Sequence, residues 1–132
     1  MEKTKFTELK EVFKTLLGPQ GCPWDKKQTH ESLIKHLREE AEEFIEAVEN
    51  KDAEHMKEEL GDVLLQVMLH AEIAAKQKEF DVEDIIEVLI EKLKRRHPHV
   101  FGDTKVDSSD DVIRNWNKIK EEEKSSKNRK DF

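Results

Sequence analysis

Four glycines and three prolines are all that punctuate this chain of 132 residues, and all but Gly61 fall in two places. Gly18, Pro19, Gly21 and Pro23 make Gly18–Asp25 a loop, because both residue types disfavour helix interiors. Pro98 and Gly102 mark a second break around 97–103. Everything between repeats its apolar residues at helical spacing, and the period-2 alternation of strands is absent. The spacing predicts an all-α chain.

Five helices follow from that pattern. The first is Thr4–Leu17, with Phe6, Leu9, Phe13, Leu16 and Leu17 on one face. The second covers Thr29–Glu49, where Leu33, Ile34, Leu37, Ala41, Phe44, Ile45 and Val48 recur. After a turn at Asn50-Lys51-Asp52, with Asp52 as cap, a third runs over Ala53–Gln77. Its middle, Val63–Leu69, is apolar nearly all round and predicts burial on more than one side. Asp81 caps a fourth helix that stops before Pro98, and a last one spans Ser109–Lys124. Short connections imply an antiparallel bundle of about four to five helices. A small domain with a helix apolar on two sides lacks partners for it, so the expectation is completion by a second copy, most simply a homodimer.

Composition narrows the class. The hydrophobic share of 35% and charged share of 42% depart from the ordinary figures of about 45–50% and about 25%. Folding therefore depends on the periodic placement of the apolar residues. The length suits one domain, 1–124, followed by a frayed polar tail at 125–132. A net charge of -7, built from 24 basic and 31 acidic residues, argues against a general nucleic-acid binder. Cys22 is alone and excludes an intramolecular disulfide. No stretch approaches the ~18 uninterrupted apolar residues of a membrane span, and the charged N-terminus lacks a signal-peptide core. A cytoplasmic protein without a membrane partner is expected.

The informative residues are acids. Glu39-Glu40-Ala41-Glu42-Glu43 contains EExxE, and Glu59-Leu60-Gly61-Asp62 is ExxD. Residues three apart on a helix share a face, so Glu40/Glu43 and Glu59/Asp62 form two paired patches that a tight turn can bring opposite each other. Acidic runs on helices are commonly solvated, and Glu42, Glu46 and Glu49 read that way. Asp62, however, directly precedes the least polar part of the chain. At ~5 Å and an effective dielectric of ~20, each carboxylate pair costs on the order of 3 kcal/mol. Such a cluster persists by taking up protons or binding cations. An all-oxygen ligand set suits Mg²⁺, with Mn²⁺ as a substitute.

Gly61 sits between the ExxD acids, where a helix-interior glycine costs about 1 kcal/mol relative to alanine. Either something approaches the helix closely there, or the glycine permits tight helix packing. Di-iron four-helix bundles, which use Glu-x-x-His, are disfavoured: none of the six histidines has Glu three positions before it.

Taken together, GCPWD at Gly21–Asp25, EExxE at Glu39–Glu43, ELGD at Glu59–Asp62 and the run Lys92–Phe101 resemble the MazG family of nucleoside triphosphate pyrophosphohydrolases. The resemblance covers roughly Leu16–Lys124. It implies an all-α fold assembled as a homodimer or dimer of dimers, and Mg²⁺-dependent cleavage of a (d)NTP to (d)NMP and pyrophosphate by water attack at the α-phosphate. It also implies metal ligation by Glu40, Glu43, Glu59 and Asp62, with Glu39 as an adjoining acid that takes part or activates the water. Lys92 and Arg96 match a phosphate-holding pair one helical turn apart, and Trp116 with Lys120 matches a nucleotide-proximal pair.

On the residues alone, Lys92 and Arg96 equally suit a basic helix C-terminus favourable to the macrodipole. Trp24 either stacks on a base or pins the proline loop to the core, and Trp116 lies on an apolar stripe with Val112, Ile113 and Ile119. His97 and His99, bracketing Pro98, read either as a metal site or, better, as a helix stop and its loop, and Cys22 has no features of a catalytic thiol. The alternative to an enzyme is a helical interaction module whose acids only solubilise its surface.

Overall fold

The computed structural model describes the backbone of residues 2–131 and the side chains of residues 2–126. Among the described residues there are seven helices and no strand: α1 Lys5–Leu16, α2 Pro23–Lys27, α3 Ile34–Glu49, α4 Ala53–Lys76, α5 Val82–Arg96, α6 Pro98–Phe101 and α7 Ser109–Asp131. The all-α expectation holds. The chain divides into two compact units, Met1–Val82 and Glu83–Phe132.

In the first unit, Thr4 caps α1 by accepting from the Thr7 amide at 3.0 Å. The loop after α1 turns sharply enough for the Cys22 amide to reach the Leu16 carbonyl at 2.8 Å. Gly21 makes that possible, because a Cβ there would lie 2.0 Å from the Leu16 carbonyl oxygen. Pro23 then opens α2, a short helix inside what the sequence reads as loop, since proline is suited to the first helical position.

The next helix starts later than its periodicity predicts, at Ile34 and not Thr29. Thr29 and Ser32 exchange side-chain-to-backbone hydrogen bonds at 2.9 and 3.0 Å, and these hold 30–33 as a turn by satisfying amides locally. His30 in that turn meets His70 of α4, Nδ1 to Nδ1 at 2.7 Å. Burial and the neighbouring His30 both hold His70 below the usual histidine pKa.

α3 and α4 are joined through 50–52, where Lys51 takes a left-handed φ of 54° and Asp52 caps α4 by accepting from the His55 amide at 3.2 Å. That tight connection folds α4 back along α3. The core gathers Phe13 and Leu17 of the α1 region, Leu33, and Met68, Leu69 and Ile73 of α4, with Phe6, Leu9, Leu16 and Val82 packed against it. The Lys76 ammonium seals this end by donating to the Leu17 carbonyl.

One expectation fails within the single chain. The middle of α4 is buried on one side only: Met68 and Leu69 are inside, while Leu64, Leu65 and Val67 stay 44%, 38% and 38% exposed. α1 and α3 supply partners for one face of the helix and leave the other uncovered.

In the second unit, α5 ends at Arg96 and His97 Nδ1 donates to the Leu93 carbonyl at 2.6 Å. The break around Pro98 holds a further short helix, α6, again opened by its proline. α7 runs to Asp131, beyond the Lys124 at which apolar periodicity ends. Arg95 and Arg96 of α5 both bind the Glu123 carboxylate of α7. No helix is long and apolar enough to cross a membrane, among the described residues.

Candidate metal centre

Helical spacing puts Glu40 and Glu43 on one face of α3 and Glu59 and Asp62 on one face of α4. The turn at 50–52 then brings the two pairs together. Each of the four offers an oxygen within 4.8 Å of the others. Glu59 is the deepest, 8% exposed; Glu40 and Asp62 are half-buried and Glu43 is exposed.

The electrostatics are those of a site short of positive charge. Burial raises the Glu40 carboxyl pKa above its ordinary value, helped by the charges of Glu43, Asp62 and Glu59 and by a hydrogen bond with Glu43. Glu59 is raised too, first by burial, then by a hydrogen bond with Glu43 and the charges of Glu43 and Asp62; His55 opposes the shift. Glu40 Oε2 and Glu59 Oε2 are nonetheless buried with no hydrogen-bond partner. Unpartnered buried carboxylate oxygens are costly unless a ligand satisfies them. Oxygen-only donors at this spacing fit a hard divalent cation.

Gly61 lies between the two α4 acids, and a Cβ built there would meet nothing within 4 Å. Close helix packing therefore does not explain it in this chain. Gly61→Ala is expected to stabilise the metal-free protein by up to about 1 kcal/mol, read as a higher urea midpoint. A drop in midpoint would mean that the space is filled.

The remaining predicted residues distribute as follows. Glu39 is exposed on α3, outside the group of four. Trp24, the second residue of α2, is half exposed and meets His36 edge-on at 5.7 Å, one turn of α3 before Glu40. In the second unit, Lys92 and Arg96 line one cleft together with Arg95 and Glu123. Arg96 is engaged there by Glu123 Oε1 at 2.8 Å and lies 5.2 Å from the Trp116 ring. These two arginines hold the Glu123 carboxyl at a pKa of about 2. Lys120 is exposed and lies outside that cleft.

Two polar residues at the α4 end of the site escape the sequence motifs. His55 Nε2 lies 3.2 Å from Glu59 Oε1, at ion-pair distance, and its i, i+4 spacing was the available signal. Gln66, 4% exposed with an unpartnered Oε1, continues the stripe of Glu59 and Asp62 through the apolar run.

The chain is similar to several known proteins. Residues 28–101 match the model of the MazG nucleotide pyrophosphohydrolase domain. A protein of Thermotoga maritima named nucleoside triphosphate pyrophosphohydrolase/pyrophosphatase MazG is 52% identical over 122 residues, 92% of this chain and 46% of that protein. A nucleoside triphosphate pyrophosphohydrolase of Escherichia coli is 39% identical over 117 residues, 88% of this chain and 44% of that protein. The chain therefore spans less than half the length of these relatives. The crystal structure of a mazG-related protein from Thermotoga maritima superposes with a TM-score of 0.72 at 32% identity, covering 86% of this chain and 97% of that one.

Proposed function

Because this chain belongs to the MazG nucleotide pyrophosphohydrolase family, we propose that it hydrolyses a nucleoside triphosphate, ribo or deoxy, to the monophosphate and pyrophosphate by attack of water at the α-phosphorus. The observation that carries this reading is the convergence of Glu40, Glu43, Glu59 and Asp62, two of them with buried, unpartnered oxygens. Those four hold the ion, Mg²⁺ with Mn²⁺ as a substitute. A divalent ion so held supplies Lewis-acid charge for the triphosphate and for an attacking water. Glu39, exposed beside Glu40, receives the proton of that water.

Lys92 and Arg96 are assigned to the phosphates. Arg96 meets them only by sharing or leaving its pairing with Glu123. Trp116, Lys120 and Trp24 are assigned to the nucleotide. A second copy of the chain, as a homodimer or dimer of dimers, is assigned to the uncovered apolar side of α4, where Leu64 and Leu65 are exposed. The lone Cys22 supports a reducing, cytoplasmic setting.

A pyrophosphate-release assay across the common NTPs and dNTPs, with Mg²⁺ and with Mn²⁺, tests the reaction. Turnover is expected on at least one of them, and Glu39→Gln is expected to lower kcat about 10²-fold with Mn²⁺ binding intact. No release from any nucleotide with either ion would leave a non-catalytic helical interaction module as the better reading.

A further inference from the structure

His55 stands in the first turn of α4, one turn before Glu59 on the same helix face. Its backbone amide is already used by the Asp52 cap at 3.2 Å, which fixes the start of the helix independently of the imidazole. The ring Nε2 reaches Glu59 Oε1 at 3.2 Å. The Glu59 side chain is 11% exposed, and its second oxygen, Oε2, is buried and has no partner. One carboxylate oxygen thus lies at ion-pair distance from the His55 ring, and the other is buried without a partner beside the acids of α3 and α4.

We propose that His55 is a positioning residue: its Nε2–H holds Glu59 Oε1 so that Oε2 is presented to the divalent ion. A carboxylate on a two-carbon stem has freedom about its last torsion, and a donor on one oxygen removes it. Neighbours that hydrogen-bond to a ligating carboxylate or imidazole commonly set metal affinity, and losing one costs about 10–100-fold. A neutral imidazole with its hydrogen on Nε2 suffices. This assignment rests on the divalent-ion reading of the acidic group and adds to it a residue outside both acidic motifs.

The test is Mn²⁺ binding by isothermal titration to the wild type, His55→Ala and His55→Gln, with the melting temperature of each in chelator. His55→Ala leaves the Asp52 cap in place and is expected to melt close to the wild type without metal, but to bind Mn²⁺ about 10–100-fold more weakly. Gln keeps an N–H donor on a side chain of comparable reach, so His55→Gln is expected to recover most of the affinity. His55→Ala binding Mn²⁺ as tightly as the wild type would overturn the proposal. So would His55→Gln binding as weakly as His55→Ala. A wild type that takes up no Mn²⁺ would overturn the ion reading itself, an outcome distinct from either.

Discussion

Glu59→Gln is expected to reduce nucleotide turnover by about 10⁴-fold while making the metal-free chain melt at a higher temperature. The two effects have one cause. Glu59 is the most deeply buried member of the acidic group, and the charges of Glu43 and Asp62 together with burial already disfavour its ionised form. The amide is nearly isosteric, but it removes one negative charge from a group of four acids. Repulsion falls and the fold gains. In the proposed site the same change takes an anionic ligand away from the ion. Lewis-acid stabilisation of a phosphoryl transition state amounts to several kcal/mol, and each 1.36 kcal/mol is a factor of ten in rate. Steady-state pyrophosphate release and differential scanning fluorimetry in chelator measure the two halves. A Glu59→Gln variant with wild-type turnover would remove Glu59 from the ion's ligands.

The second large effect is the coupling of Mg²⁺ to stability and to pH. Glu40 and Glu59 both have carboxyl pKa values raised above the ordinary 4.5 in the folded chain. A raised folded-state pKa means that the native state binds more protons than the unfolded one between the two values. The associated stability is full below the unfolded pKa and is lost as pH rises through the folded pKa. In chelator, then, the contribution of these two groups falls on going from acid toward neutral pH. At the proposed site Mg²⁺ would replace the protons, and the higher the pH, the less it would have to compete with them. At one hundred times its Kd, an ion that binds only the native state adds about 2.7 kcal/mol, which is several degrees of melting temperature for a chain of this size. A larger Mg²⁺-induced shift is expected at about pH 8 than at about pH 5, and the difference should shrink in Glu59→Gln. Equal shifts at both pH values would place the ion away from Glu40 and Glu59.

The features legible in the sequence were those set by local rules. The apolar repeat located the long helices, and Asp52 was recognisable as the α4 cap because a carboxylate before an apolar-periodic run satisfies the first free amides. EExxE and ExxD were legible as pairs for the same reason: residues three apart share a helix face, and the turn at 50–52 is too short to let the next helix run elsewhere.

Periodicity was silent where side chains compete with the backbone or where proline opens a turn of helix. Thr29 and Ser32 delayed α3, and Pro23 and Pro98 each opened a short helix in a segment read as loop. Nor does periodicity say where an apolar surface finds its partner: the far side of α4 is exposed within the single chain, and the expected partner for it is a second copy. Arg96 looked free to meet an anion because nothing local announces Glu123, which reaches it from a different helix.

The turn at 50–52 also bears on how the chain folds. It makes the four-acid group a short-range assembly, in which the closing loop costs little entropy and its contacts have low sequence separation. The pairing of α3 with α4 is therefore expected early in chain collapse, which would bring the same-sign charges together before the rest of the fold is complete. Refolding in chelator is then expected to be slowed by repulsion within the four-acid group, and a modest drop in pH is expected to speed it, which stopped-flow refolding at two pH values would measure.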